Sequence, residues 1–167
     1  MTTYFDKNFE KIGKLSLIGM KKYAKKYGFD LVLDNNIKSS RPPAWNKVLL
    51  VEKILNDSKK YDFVMWIDPD TLFFRFDEDI RMGIEEGKDL YICKTKYAGG
   101  ETPLTGVFLI RNTDWSKKFL KEVWSIKKYT YHNWWEQAAF ASLLGYENSI
   151  NYHPHKLFFV GILYKLQ

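Results

Sequence analysis

The chain has 167 residues, 46% of them hydrophobic and 28% charged, with a formal charge of +6; this size and balance, without a linker-like segment, fit one globular domain spanning 1–167. Its longest apolar run is far short of the ~20 residues a membrane helix needs, and Met1 to Asp6 lack the basic and apolar regions of a secretory leader. The expectation is a soluble, cytoplasmic protein, with peripheral contact to a membrane still compatible; Cys93, the only cysteine, excludes an internal disulfide or a thiolate metal cluster within the chain.

The spacing of Phe9, Ile12, Ser16, Met20, Tyr23 and Tyr27 predicts an amphipathic helix over Asn8 to Tyr27, stopped by Gly28. Lys11, Lys14, Lys21, Lys22, Lys25 and Lys26 fall on its other side, so most of the positive charge reads as a solvated helix surface, and nucleic acid is not the expected partner. Phe29 to Asp34 reads as a strand and Asn35 to Pro43 as a loop whose proline pair leads into a helix from Ala44 to Asn56. Asp62 to Asp68 has a continuous apolar core, the pattern of a strand buried on both faces.

Asp89 to Lys94 and Thr105 to Arg111 are two further strands, and Thr113 or Asp114 caps a helix that buries Phe119, Leu120, Val123 and Ile126. Tyr129, Tyr131, His132, Trp134 and Trp135 cluster in a polar stretch, where aromatic faces suit sugar rings or bases as well as a core. A last helix runs from Trp134 to Leu144 before Gly145, followed by a weak strand candidate from Asn148 to Tyr152. The alternation of helices and strands predicts an α/β fold with a mixed, mostly parallel sheet flanked by helices, whose ligands bind beyond the carboxyl ends of the strands.

Asp68-Pro69-Asp70 stands at the carboxyl end of the most apolar strand. In extended chain, residues two apart face the same way, so both carboxylates can address one divalent cation, and two hard oxygen donors suit Mg²⁺ or Mn²⁺ completed by water and a ligand diphosphate. The chemistry fits, because a nucleoside diphosphate leaves poorly until its developing charge is neutralised.

The residues around this pair resemble glycosyltransferase family 34, the galactosyl-, mannosyl- and xylosyltransferases within the GT-A group. The likeness rests on Tyr23-Ala24-Lys25-Lys26-Tyr27-Gly28-Phe29-Asp30, Trp45-Asn46-Lys47, Tyr61 to Asp70, Thr105 to Asn112 leading to Trp115-Ser116, and Trp135-Glu136-Gln137-Ala138, in the family's order. The resemblance implies a GT-A, Rossmann-like fold, a nucleoside-diphosphate sugar donor, a Mn²⁺ or Mg²⁺ ion, a glycan or other hydroxyl acceptor, hexosyl or pentosyl transfer and a lean towards retention. It places Asp68 and Asp70 in the metal motif, Lys47 near the donor phosphates and Gly106 where backbone approaches sugar or acceptor. Glu136 would contact the acceptor or stabilise the oxocarbenium charge with Gln137 beside it, Trp135 would be a sugar platform or core, and Thr2 and Tyr4 would touch the base.

Two departures from that pattern stand out. Met1 to Tyr4 match only the last residues of the family's first strand, which predicts a shortened strand and a chain trimmed or degenerate there, and the family's C-terminal metal histidine has no match in Tyr152-His153-Pro154-His155. They keep a catalytically degenerate nucleotide-sugar or carbohydrate binding module as the alternative. A haloacid dehalogenase phosphatase is disfavoured by Leu72 at the position of its usual threonine or valine.

Overall fold

β3 (Phe63–Ile67) is the strand on which both layers of the core are built. The computed structural model describes residues 1–57, 61–97 and 100–151. β3 belongs to a five-stranded sheet in the order β2-β1-β3-β5-β4, with β1 at Thr2–Thr3, β2 at Val32–Leu33, β4 at Leu90–Tyr97 and β5 at Gly100–Arg111. β1 runs parallel to β2 and β3, and β5 runs antiparallel to β3 and β4. Four strands therefore share one direction and β5 alone is reversed, as in the mixed, mostly parallel sheet expected from the alternation.

Side chains alternate across a strand, and β3 uses both sides. Val64 and Trp66 join Phe108 and Ile110 of β5 under α2 (Asn46–Asp57), α3 (Asp114–Ser125) and α4 (Trp135–Leu143). Met65, Ile67 and Leu109 face the other way, onto α1 (Glu10–Tyr27). The continuous apolar run is thus explained by burial on two faces.

The element boundaries follow local chemistry. Gly28 closes α1 at φ 70°, a left-handed conformation that glycine adopts without strain. Thr113 caps α3 by accepting the Ser116 N–H on its side chain. Pro43 starts a 3₁₀ turn over Pro43–Trp45 that runs into α2.

Three expectations change. The buried stripe of α1 is Gly13, Ser16, Leu17, Met20, Tyr23 and Ala24, leaving Phe9 and Ile12 nearly half exposed. Phe5 contributes to this: its ring lies so close to Gly13 that a Cβ there would sit 2.4 Å from Cδ1, so this side of the helix packs on Phe5 at its glycine. α3 ends before Ile126, which packs only partly against the core. Residues 148–151 are helical, in α5 (Glu147–Asn151), while Tyr152, His153 and His155 lie outside the described residues. Among the described residues no helix is long and apolar enough to cross a membrane.

Candidate active site

The carboxyl end of β3, the turn into α2 and the amino end of α4 meet around a cleft of about 520 Å³. The β3–β5 ladder ends at Ile67↔Val107, and one more backbone bond, from the Asp68 N–H to the Gly106 carbonyl at 2.7 Å, carries Asp68 to the rim. Trp66, two residues back and on the same side, donates its indole N–H to Asp68 Oδ1 at 2.7 Å. Asp70 is exposed beyond the turn.

Lys47, in the first turn of α2, is not the solvated lysine that composition alone would suggest: it is 4% exposed. Its ammonium donates to Glu136 Oε1 at 2.8 Å, Asp68 Oδ1 at 2.9 Å and the Thr105 carbonyl at 3.2 Å. Three acceptors match its three N–H groups. Burial alone would lower its pKa, but the charges of Glu136 and Asp68 outweigh that and hold it above the usual lysine value. The ammonium therefore stays charged and ties together two carboxylates from distant parts of the chain.

Glu136, in the first turn of α4, is 3% exposed. Its Oε1 accepts from Lys47 and, at 3.1 Å, from the Thr105 hydroxyl. Oε2 is buried and has no hydrogen-bond partner among the described residues. An unpaired buried carboxylate oxygen costs on the order of 1–3 kcal/mol or more, so this carboxylate is held in place at the expense of stability. Gln137 beside it accepts the Thr105 N–H at 3.3 Å, which fixes β5 against α4.

Trp135, which leads into Glu136, has φ 43°, the one non-glycine residue with positive φ among those described. A bulky side chain in that region costs on the order of 1–3 kcal/mol, and such strain tends to sit where geometry serves a ligand. Its indole is half exposed and lines the cleft with Trp134.

Residues 43–164 match the family model of nucleotide-diphospho-sugar transferases. The chain belongs to that family. Its fold is shared with a glycosyltransferase involved in the glycosylation of the major capsid of PBCV-1, at TM-score 0.70 and 12% identity, covering 86% of this chain and 74% of that one. The glycosyltransferase GlyE of Streptococcus pneumoniae TIGR4 is similar at TM-score 0.60 and 14% identity over 85% of this chain, which spans only 42% of that one. No curated protein matches the sequence. Family 34 is a narrower assignment, carried by the order of the sequence motifs alone.

In this transferase, Tyr4, Lys47, Asp68, Asp70, Glu136 and Gln137 all line the cleft. Thr2 does not: it is fully buried, and its hydroxyl donates to the Val32 carbonyl at 2.9 Å, stitching β1 to β2. Gly106 is not on the cleft wall either. A Cβ at Gly106 would stand 3.3 Å from Asp68 Oδ2, so the missing side chain leaves room for that oxygen. Of the aromatic cluster, Trp134 and Trp135 form cleft wall, whereas Tyr131 is 80% exposed.

Sequence reasoning missed Trp66 and Thr105, the two neutral residues that complete the network. Trp66 had a legible signal, since it stands two residues before Asp68 in extended chain. Thr105 was read as the start of a strand and of a family-like segment but given no role in the site, because its partners come from α2 and α4.

For a divalent ion, the donors are Asp68 Oδ2, with Oδ1 engaged by Trp66 and Lys47, and the exposed Asp70. No group of three histidine, cysteine, aspartate or glutamate side chains suited to a metal occurs among the described residues. Two carboxylates with waters and a ligand diphosphate nonetheless match how Mg²⁺ is usually held, so the donor set fits.

Proposed function

We propose that the chain transfers a hexosyl or pentosyl unit from a nucleoside-diphosphate sugar to a hydroxyl of a glycan or similar acceptor, with Asp68, Asp70, Lys47 and Glu136 as the reacting site. The observation that carries this reading is the buried, unpartnered Oε2 of Glu136 in the same cleft as the Asp68–Lys47 pair.

Bound to Asp68 and Asp70, a Mn²⁺ or Mg²⁺ ion would supply neutralisation of the charge that develops on the leaving diphosphate. Everything else is done by the chain. Lys47 anchors Asp68 and Glu136 in one orientation and adds a fixed positive charge on the phosphate side. Tyr4 offers an aromatic face to the base and Trp135 one to a sugar ring. As the bond from the anomeric carbon to the diphosphate oxygen breaks, the Glu136 carboxylate stabilises the growing oxocarbenium charge, and the acceptor oxygen forms the new bond while passing its proton to the departing diphosphate oxygen. Retention of configuration is the outcome to which the resemblance to family 34 leans.

The test is turnover of a panel of nucleotide sugars with Mn²⁺, comparing the native chain with Glu136→Gln. The expected result is a fall in kcat of about 10²-fold or more with donor affinity kept within a few-fold, because Glu136 acts on developing charge and not on the diphosphate. Equal turnover by the variant would remove Glu136 from the reaction. Donor binding by the native chain with no transfer to any acceptor and no hydrolysis would favour the binding module.

A further inference from the structure

We propose that α1 and the segment from Thr71 to Phe76 form a docking face for an anionic lipid bilayer, beside the mouth of the cleft. The face begins with the packing of that segment on the helix. Ser16 donates to the Thr71 carbonyl, Phe73 lies against Gly19, and Lys26 donates to the Phe76 carbonyl. Phe73 and Phe76 turn inward to the core beneath α1. The residues on either side of Phe73 turn outward: Leu72 is 57% exposed and Phe74 88% exposed.

The helix adds its own apolar residues to the water side. Leu15 is 62% and Ile18 68% exposed. At one hundred degrees per residue, Ile18 points away from the buried stripe centred on Met20, with Leu15 beside it. Around them stand the exposed Lys11, Lys14, Lys21, Lys22 and Lys25, and the helix carries a single acid, Glu10, engaged with Lys14 at 2.6 Å.

This mixture is informative because each part by itself is not. Exposed lysines alone are an ordinary solvated surface, and scattered exposed leucines are common. Large apolar side chains set among cations that outnumber the acids beside them, with Asp77 and Glu78 next to Phe76 both paired to Arg75, fit a surface that is both apolar and negatively charged, which is the interface of a bilayer containing anionic lipid. A second copy of the chain would bring the same lysines to its own interface and is disfavoured by like-charge repulsion.

Position gives the face a use. Phe9 at the start of α1 and Asp70, just before Thr71, both line the cleft, so a docked bilayer would lie beside its rim. The transferase would then meet acceptors displayed at a membrane surface.

The experiment is co-sedimentation of the full chain with vesicles of phosphatidylcholine alone or with about 30% phosphatidylglycerol, over a range of salt. Two variants accompany it, Ile18→Ser with Phe74→Ser, and Lys21→Glu with Lys25→Glu; a cooperative thermal unfolding transition reports that each is folded. The expected result is binding to the anionic vesicles at least tenfold stronger than to phosphatidylcholine, weakened about tenfold or more by either pair of substitutions. No vesicle binding, or binding that the serine pair leaves unchanged, overturns the proposal. So does a dimer in solution that the serine pair dissociates, since the face would then belong to a second copy. Vesicle binding does not require transfer, so a failure here is distinct from a failure of the catalytic reading.

Discussion

On α1 the lysines stay in water, whereas on α2 a single lysine is closed off from it and placed between two carboxylates. Both helices pack against β3 and its neighbours, α2 over Val64 and Trp66 and α1 over Met65 and Ile67. The α2 side is sealed by α3 and α4, and its fully buried residues include Trp45, Leu50, Phe108 and Phe140. The α1 side is covered by one helix and an irregular segment that leave Leu15, Ile18 and Phe74 in solvent. A charged group can be kept inside only where packing is closed and partners are fixed, which is why the chemistry sits with α2 and α4 while α1 is free to meet an external surface.

The contrast predicts unequal costs for removing a lysine. Lys47→Met leaves Asp68 and Glu136 facing each other without the ammonium that joins them, and the expected loss is about 3–5 kcal/mol in denaturant unfolding, the usual cost of stranding a buried charge. Lys21→Met on α1 is expected within about 0.5 kcal/mol of the native chain. Similar losses at the two positions would mean that Lys47 is not buried as described.

A smaller effect tests why α1 sits on its glycine. Gly13→Ala is ordinarily favourable in a helix by about 1 kcal/mol, yet a Cβ 2.4 Å from the Phe5 ring must displace it. The expected net result is destabilisation of about 1–3 kcal/mol, read by thermal or denaturant unfolding, with donor affinity also reduced because Phe5 lines the cleft. A stabilised variant would show that Phe5 is free to move.

The smallest effect belongs to the loop that holds the far end of α1. Arg81 donates to Asp79 and to the Tyr27 carbonyl, and its hydrogen bond to Asp79 holds that carboxyl below the usual aspartate value. Because the folded-state pKa is depressed, this stabilisation is present above the unfolded value of about 4 and is lost as pH falls through the lower folded one. Asp79→Asn is expected to cost less than about 1 kcal/mol at neutral pH, since the pair is largely solvent-screened, and to flatten the acid limb of stability against pH. An unchanged acid limb would mean the pair contributes nothing.

Most of the fold was legible in the sequence because its signals are local. The apolar run before Asp68, the stop at Gly28 and the cap at Thr113 each depend on neighbours a few residues away, and each became the element expected. Where a signal was weak, context decided: residues 148–151 became helix, and the stripe of α1 turned toward Gly13 because Phe5 arrived from outside the helix. The acidic pair was likewise visible from spacing, and its company was not.

By itself, then, the sequence determined that an acidic pair ends a doubly buried strand in an α/β chain, since strand burial and i, i+2 geometry are properties of contiguous residues. Only the tertiary structure decided that Lys47 is buried, that Thr2 stitches the sheet, that Gly106 makes room for Asp68 and that Glu136 keeps one oxygen unpartnered. Those facts depend on α2, α4 and β5, and for Thr2 on β1 and β2, converging from distant parts of the chain. Periodicity says which face a side chain takes, while burial and partners follow from what is packed against that face.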